Sequence, residues 1–92
     1  MAYRVVVLAS AEADLEQLDP EIRRRVLRRM IWLGENASRV VHHQLTSLPE
    51  DLVGLCRLRV GDYRGLYWVY HHQELLKVYR VQHRSEVYRR FE

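Results

Sequence analysis

Two short segments carry most of the chemistry this sequence offers. The first runs Arg57-Leu58-Arg59-Val60-Gly61-Asp62-Tyr63-Arg64. Arg57 and Arg59 stand two apart and share one face of a strand. Arg64 returns on the next strand after a Gly61-Asp62 turn. Three guanidinium groups placed this way can converge on one phosphate, which arginine grips in a planar, bidentate fashion. Alternating charge is equally the ordinary pattern of a solvated strand face, so spacing alone leaves both readings open. The second segment is His83-Arg84-Ser85-Glu86-Val87-Tyr88. It brings an imidazole, a guanidinium and a phenol into one stretch. Such groups suit RNA cleavage by the RNA's own 2′-hydroxyl: one takes that proton, another protonates the leaving oxygen, and cations stabilise the phosphorane. Taken alone, the segment could also be a polar tail anchored by Tyr88.

The elements that must position these segments follow from pattern. Tyr3 to Leu8 is β-branched and reads as a strand, apolar enough to be buried on both faces. Ser10 can cap a helix that runs through Leu18, with Glu12 and Asp14 near its positive end. Asp19-Pro20-Glu21 starts a second helix, which reaches about Glu35. Its apolar stripe is Ile22, Val26, Met30 and Leu33, widened by Leu27 and Ile31; Arg23, Arg24, Arg25, Arg28 and Arg29 lie mostly outside it. Gly34 and Asn36 favour a stop. Residues 37–52 are irregular. Three strands follow: Val53 to Val60, Tyr63 to Tyr70 and Leu75 to Val81. In the first, Cys56, Leu58 and Val60 face one way, and Leu55, Arg57 and Arg59 the other. The expected fold class is α+β: an N-terminal strand, a helical hairpin, then an antiparallel three-stranded meander forming a curved sheet. The hairpin covers one sheet face, and the other is open and basic.

Charge supports that surface. Residues 1–52 carry seven bases against eight acids, whereas residues 53–92 carry eight bases against four acids. Lys77 is the only lysine, so nearly every base is an arginine. A basic C-terminal half points to nucleic acid or to an acidic protein partner. The 92 residues suffice for one domain, 1–92. Cys56 has no second cysteine to pair with, so this is no disulfide scaffold. The sequence shows neither a secretory leader pattern nor a membrane-length apolar run, and the expected location is cytoplasmic.

The remaining candidates are weaker. His42-His43 and His71-His72 are adjacent pairs, no Cys/His/Asp spacing completes a metal site, and no metal is expected. There is no glycine-rich phosphate loop or nucleotide fingerprint, and no cofactor is expected. Trp32 and Trp68 read as packing residues, although Trp68 shares alternation with Arg64 and could stack on a base.

Taken together, the two segments resemble the RelE/ParE superfamily of toxins from toxin–antitoxin systems. The resemblance spans essentially the whole chain: a first strand, Ala11 to Asp19 as A-x-x-D-L-x-x-L-D, an arginine-rich second helix, Arg57 to Tyr67 as R-L-R-V-G-D-Y-R-G-L-Y, and His83 to Tyr88 as H-R-S-E-V-Y. It implies a toxin of a type II system. RelE-like members enter the ribosomal A site and cut the messenger RNA there. By that resemblance Arg57 and Arg64 match cationic positions that hold and polarise the scissile phosphate. Arg84 matches a further basic position, Tyr88 a catalytic or base-stacking tyrosine, and His83 a place where some members carry a general acid or base. Arg59, Trp68, Arg80 and Gln82 are expected to contact RNA. ParE-like members share the fold but poison DNA gyrase.

The sequence departs from the RelE pattern at three places. Leu55 and Arg57 stand where that pattern has lysines, one of them a candidate base, and Gln82 stands at an arginine position. Arginine stays protonated and is a poor base. Base duty then passes to His83, whose ordinary titration range suits it, to Tyr88, or to an acid that the spacing does not place. Two classes follow: a metal-independent, ribosome-dependent endoribonuclease, or a binding protein that targets gyrase or only its antitoxin. In either case the resemblance implies a cognate antitoxin with an acidic segment that folds as it wraps the domain, docking on the basic sheet face or the helical hairpin.

Overall fold

A computed structural model describes residues 2–89. The elements in chain order are β1 (Arg4–Val7), α1 (Ala9–Glu16), α2 (Pro20–Asn36), β2 (His43–Gln44), β3 (Cys56–Val60), β4 (Tyr63–Tyr70) and β5 (Leu75–His83), with a 3₁₀ turn at Glu50–Leu52. They build one five-stranded sheet of order β1-β5-β4-β3-β2. β3, β4 and β5 form the expected antiparallel meander. β1 joins β5 in parallel, and the two-residue β2 joins β3 antiparallel. The fold is α+β with a mixed, unclosed sheet.

One face of the sheet packs under both helices. Cys56, Leu58 and Val60 from β3, Tyr67 from β4 and Leu76, Val78 and Val81 from β5 meet Ala11, Leu15, Val26, Met30 and Leu33 in the main core. The stripe read from α2 supplies three of these contacts, which is why a helix with so many arginines folds here. Gly65 lies beneath Met30, whose terminal methyl a Cβ there would displace.

The other face is not uniformly open. A second apolar cluster of Leu52, Leu55, Leu66 and Val87 covers its middle, with Leu45, Leu48, Trp68, Tyr79 and Tyr88 packed against it. The loop before β3 and the segment after β5 therefore fold over this face. The expected open, basic surface is confined to the ground outside that cluster.

Three local expectations are corrected. β1 is an edge strand with Val5, Val6 and Val7 half-buried, not a strand buried on both faces. Ser10 does not cap α1; its hydroxyl donates to the Tyr79 carbonyl at 2.6 Å, and Leu8 holds the N-cap position. Gly34 does not stop α2, which continues to Asn36. It instead lets β1 approach: a Cβ there would stand 2.8 Å from Val5 Cγ2 and 3.0 Å from the Tyr3 carbonyl. The Gly34 carbonyl accepts the Tyr3 N–H at 2.8 Å, tying helix to strand.

Candidate functional site

The site starts from strand register. Arg59 on β3 lies directly across from Arg64 on β4, and Arg64 across from Gln82 on β5. These three residues form a row over the face away from the helices. Arg57 pairs with Leu66, and Leu66 with Arg80, in the next row of that face. The Gly61-Asp62 turn sets this register: Gly61 adopts φ +60°, which favours glycine. Cross-strand neighbours stand close enough for long side chains to share one ligand. A register irregularity at Leu66/Tyr67 against Arg80/Val78 leaves Tyr79 as an extra residue. This bulge restores Arg80 to the face of Lys77 and accounts for the untidy alternation along that strand.

The guanidinium groups differ in availability. Arg59 is exposed and Arg57 half-buried, and neither forms an ion pair among the described residues. Arg64 is only 9% exposed. Its Nη1 donates to the carbonyls of Gly61 at 2.9 Å and Tyr63 at 2.8 Å. It thereby braces its own turn, and these bonds offset the repulsion of Arg59 across the strand pair. Arg80 is engaged as well: its Nε and Nη2 donate to Asp14 at 2.7 and 3.0 Å. Its guanidinium is held even more firmly protonated than usual, first by that hydrogen bond. Arg84 is exposed, with its Nε 4.0 Å from Asp62. Its backbone N–H donates to the Asp62 carbonyl at 2.8 Å, docking the C-terminal segment on the β3–β4 turn.

His83 sits apart from this group. Its register partner is Tyr63, and their rings meet edge-on at 5.4 Å. Both belong to the helix side of the sheet, around a cavity of about 450 Å³ lined also by Asp14, Gln17, Leu18 and Ser85. Nδ1 of His83 accepts the Ser85 backbone N–H at 3.2 Å and contacts Ser85 Oγ at 2.8 Å. A backbone N–H can only donate, so Nδ1 is the acceptor and the neutral ring carries its proton on Nε2. In this geometry the ring offers a donor and not a base. Tyr88 is half-buried against the second apolar cluster. Trp68 is held by packing: its Nε1 donates to Val53 at 3.0 Å and its ring lies 5.3 Å from Tyr79.

The structure thus brings Arg57, Arg59, Arg64 and Gln82 onto one face and docks Arg84 at their turn. It separates His83 from them and ties Arg80 to α1. Asp14 was missed as a positioning residue, because an acid in an early helical turn reads as a charge suited to the helix dipole. Only its approach to β5 gives it away. Also unforeseen is a polar network beyond β4. The Tyr67 hydroxyl donates to His42 Nδ1 at 2.7 Å, and His42 Nε2 donates to the Ala37 carbonyl at 2.8 Å. Burial, with a smaller contribution from Cys56, pushes the Tyr67 hydroxyl well above its ordinary value, so it remains a donor. Nearby, Tyr3 Oη lies 2.7 Å from His71 Nδ1. No group of three His, Cys, Asp or Glu among the described residues could hold a metal ion. No described helix is long and apolar enough to cross a membrane.

A family model described as the ParE toxin of type II toxin–antitoxin systems matches residues 5–88. Toxin RelG of Mycobacterium tuberculosis is 31% identical over 90 residues, covering 98% of this chain and 100% of RelG. The toxin–antitoxin complex RelBE2 of M. tuberculosis superposes with a TM-score of 0.77 and 29% identity, covering 94% of this chain and 95% of that one. An archaeal RelE–RelB complex from Pyrococcus horikoshii gives 0.70 and 25%, over 95% and 100%. A mutant of E. coli toxin RelE in the free state, at 21% identity over 96% and 92%, shares the fold with a TM-score of 0.73.

Proposed function

This chain belongs to the ParE toxin family of type II toxin–antitoxin systems, and from that premise we propose that it is a RelE-like toxin that cuts messenger RNA at the ribosomal A site. One toxin domain over residues 1–92 acts in the cytoplasm, and a cognate antitoxin neutralises it. The observation that carries the reading is the arginine row of β3 and β4. Among the described residues Arg57 and Arg59 form no ion pair; they lie beside Arg64, and Arg84 stands at the same turn. Cations so placed fit a phosphodiester that gains charge as the 2′-oxygen attacks phosphorus and the 5′-oxygen leaves.

In this proposal the arginines supply most of the catalysis, by stabilising that charge without a metal. Arg57 and Arg59 hold the phosphate, and Arg84 adds a third cation. Arg64 keeps the turn in shape through the Gly61 and Tyr63 carbonyls. The 2′-proton passes to solvent and the leaving 5′-oxygen takes a proton from solvent, because His83 lies on the helix side of the sheet and the Tyr88 hydroxyl is buried. Gln82 and Trp68 border the RNA path.

A second reading has its own support. Arg64 is engaged with carbonyls and His83 lies on the helix side. Both features suit a toxin that binds DNA gyrase, or only an antitoxin, without cutting. A purified translation mixture primed with ready-made RNA separates the two. Translation halted by the protein, with loss of full-length message, is expected. Undisturbed translation together with blocked supercoiling by gyrase would overturn the proposal.

A further inference from the structure

Arg25, Arg28, Arg29 and Trp32 stand at i, i+3, i+4 and i+7 along α2, so they share one stripe of that helix. Two adjoining cavities of about 420 and 380 Å³ lie between this stripe and the outer edge of β3. The two differ in character. The smaller gathers Arg25, Arg28, Arg29 and Arg59 around Gly61. The larger is walled by Trp32, Leu33, Val40 and Val41. Arg29, Trp32 and Arg59 line both, and no acid lines either.

Neither compartment is satisfied by the chain itself. None of the four arginines forms an ion pair among the described residues. Like charges one helical turn apart repel, and no acid in the cavity wall offsets that cost. Gly61 carries no side chain to displace the Arg25 guanidinium, whose Nη2 lies 2.8 Å from where a Cβ would stand. The Arg29 guanidinium lies 4.7 Å over the Trp32 ring, so the cationic and apolar compartments meet at one stacked pair. Trp32 is 42% exposed and Val41 78% exposed, which leaves large apolar side chains in water beside the arginines.

We propose that the two compartments form a binding site for a free nucleoside triphosphate. Its phosphates lie among Arg25, Arg28, Arg29 and Arg59, and its base lies against Trp32 and Val41. Guanidinium groups grip phosphate oxygens in pairs. A triphosphate concentrates enough negative charge on one short chain to meet several arginines at once, whereas an RNA strand brings a single charge with each nucleotide. An aromatic ring stacks on any base, and an arginine plane adds to the stack. Cavities of about 300–1,000 Å³ take ligands of this size. With no acid to hold a magnesium ion, the site takes the nucleotide as the bare anion. The inference is independent of the proposed RNA cleavage and holds for either reading of the toxin's target.

The test is calorimetric titration at low salt without magnesium. Its probes are ATP, GTP, adenosine, inorganic tripolyphosphate and a short RNA oligonucleotide without a terminal phosphate. ATP or GTP should bind at least about tenfold more tightly than adenosine or tripolyphosphate, because only the nucleotide fills both compartments. R25E/R28E with native circular dichroism should lose the nucleotide, and Trp32→Ala should reduce it to the affinity of tripolyphosphate. On the unaltered chain, ATP should move the amide resonances of Val41 and Gly61 and leave that of Gly54, which lines another cavity, in place. This readout decides the matter even where a variant fails to fold. No nucleotide binding, binding no tighter than that of tripolyphosphate, binding unchanged in the variants, or unmoved Val41 and Gly61 resonances would overturn the proposal. So would RNA that binds more tightly than ATP and is lost with R25E/R28E, because the phosphates taken there would then be those of a strand.

Discussion

The carboxylate of Asp14, on α1, grips Arg80 with both oxygens and also accepts the backbone N–H of Val81 at 2.9 Å. Three donors from β5 thus converge on one acid where β1 has ended and the strand would otherwise show a bare edge. The pair is mostly shielded, with side-chain exposures of 21% and 11%. Removing the acid leaves a half-buried guanidinium and a buried N–H without an acceptor. Asp14→Ala should lower stability by about 2–4 kcal/mol, and Asp14→Asn, which keeps an acceptor, by less. Urea unfolding measures both; equal losses would show that a neutral acceptor contributes nothing without the charge.

Gly34 should tolerate no side chain. Alanine normally strengthens a helix, but here its Cβ would press on the Tyr3 carbonyl, which is backbone and cannot swing away. Gly34→Ala should therefore destabilise by roughly 1–3 kcal/mol. A melting temperature at or above that of the wild type would show that β1 yields without cost.

The Tyr67 hydroxyl is a buried donor whose loss strands His42 Nδ1. Tyr67→Phe keeps the ring and removes only that bond, so a loss of about 1–2 kcal/mol is expected. His42→Ala should cost a similar amount, and the double variant should lose less than the two together. Strict additivity in denaturant melts would mean the two groups are not coupled.

Cys56 is fully buried, and desolvation pushes its thiol up to about 11 from an ordinary value near 9.0. The folded state holds its proton where the unfolded chain releases it. Any stability linked to this thiol is therefore fully present below about 9, and it is lost as pH rises from there toward about 11. Alkylation by iodoacetamide at pH 8 should be slow in the native protein and fast in denaturant. Rapid labelling of the folded chain would contradict this burial.

The sequence and structure agree where short-range pattern decides. The alternation of Cys56, Leu58 and Val60 against Arg57 and Arg59, the stripe of α2 and the Gly61-Asp62 turn all follow from spacing, and they are the features that place the arginine row. What spacing could not reveal depends on distant partners. Leu66, Leu55 and Val87 cover the second face only because two irregular segments meet across it. Arg64 and Arg80 look like free cations until carbonyls and Asp14 claim them. His83 falls on the helix side because the bulge at Tyr79 shifts the phase of β5, and no local rule marks that bulge.

The central claim is that this chain cuts RNA with arginines from β3. Primer extension on messenger RNA bound to programmed ribosomes tests it most directly, for the wild type, Arg59→Ala and R57A/R59A. The account predicts cuts within the A-site codon that weaken in Arg59→Ala and vanish in R57A/R59A, with unchanged thermal melting. Intact message with folded wild-type protein, or equal cutting by all three, would contradict it.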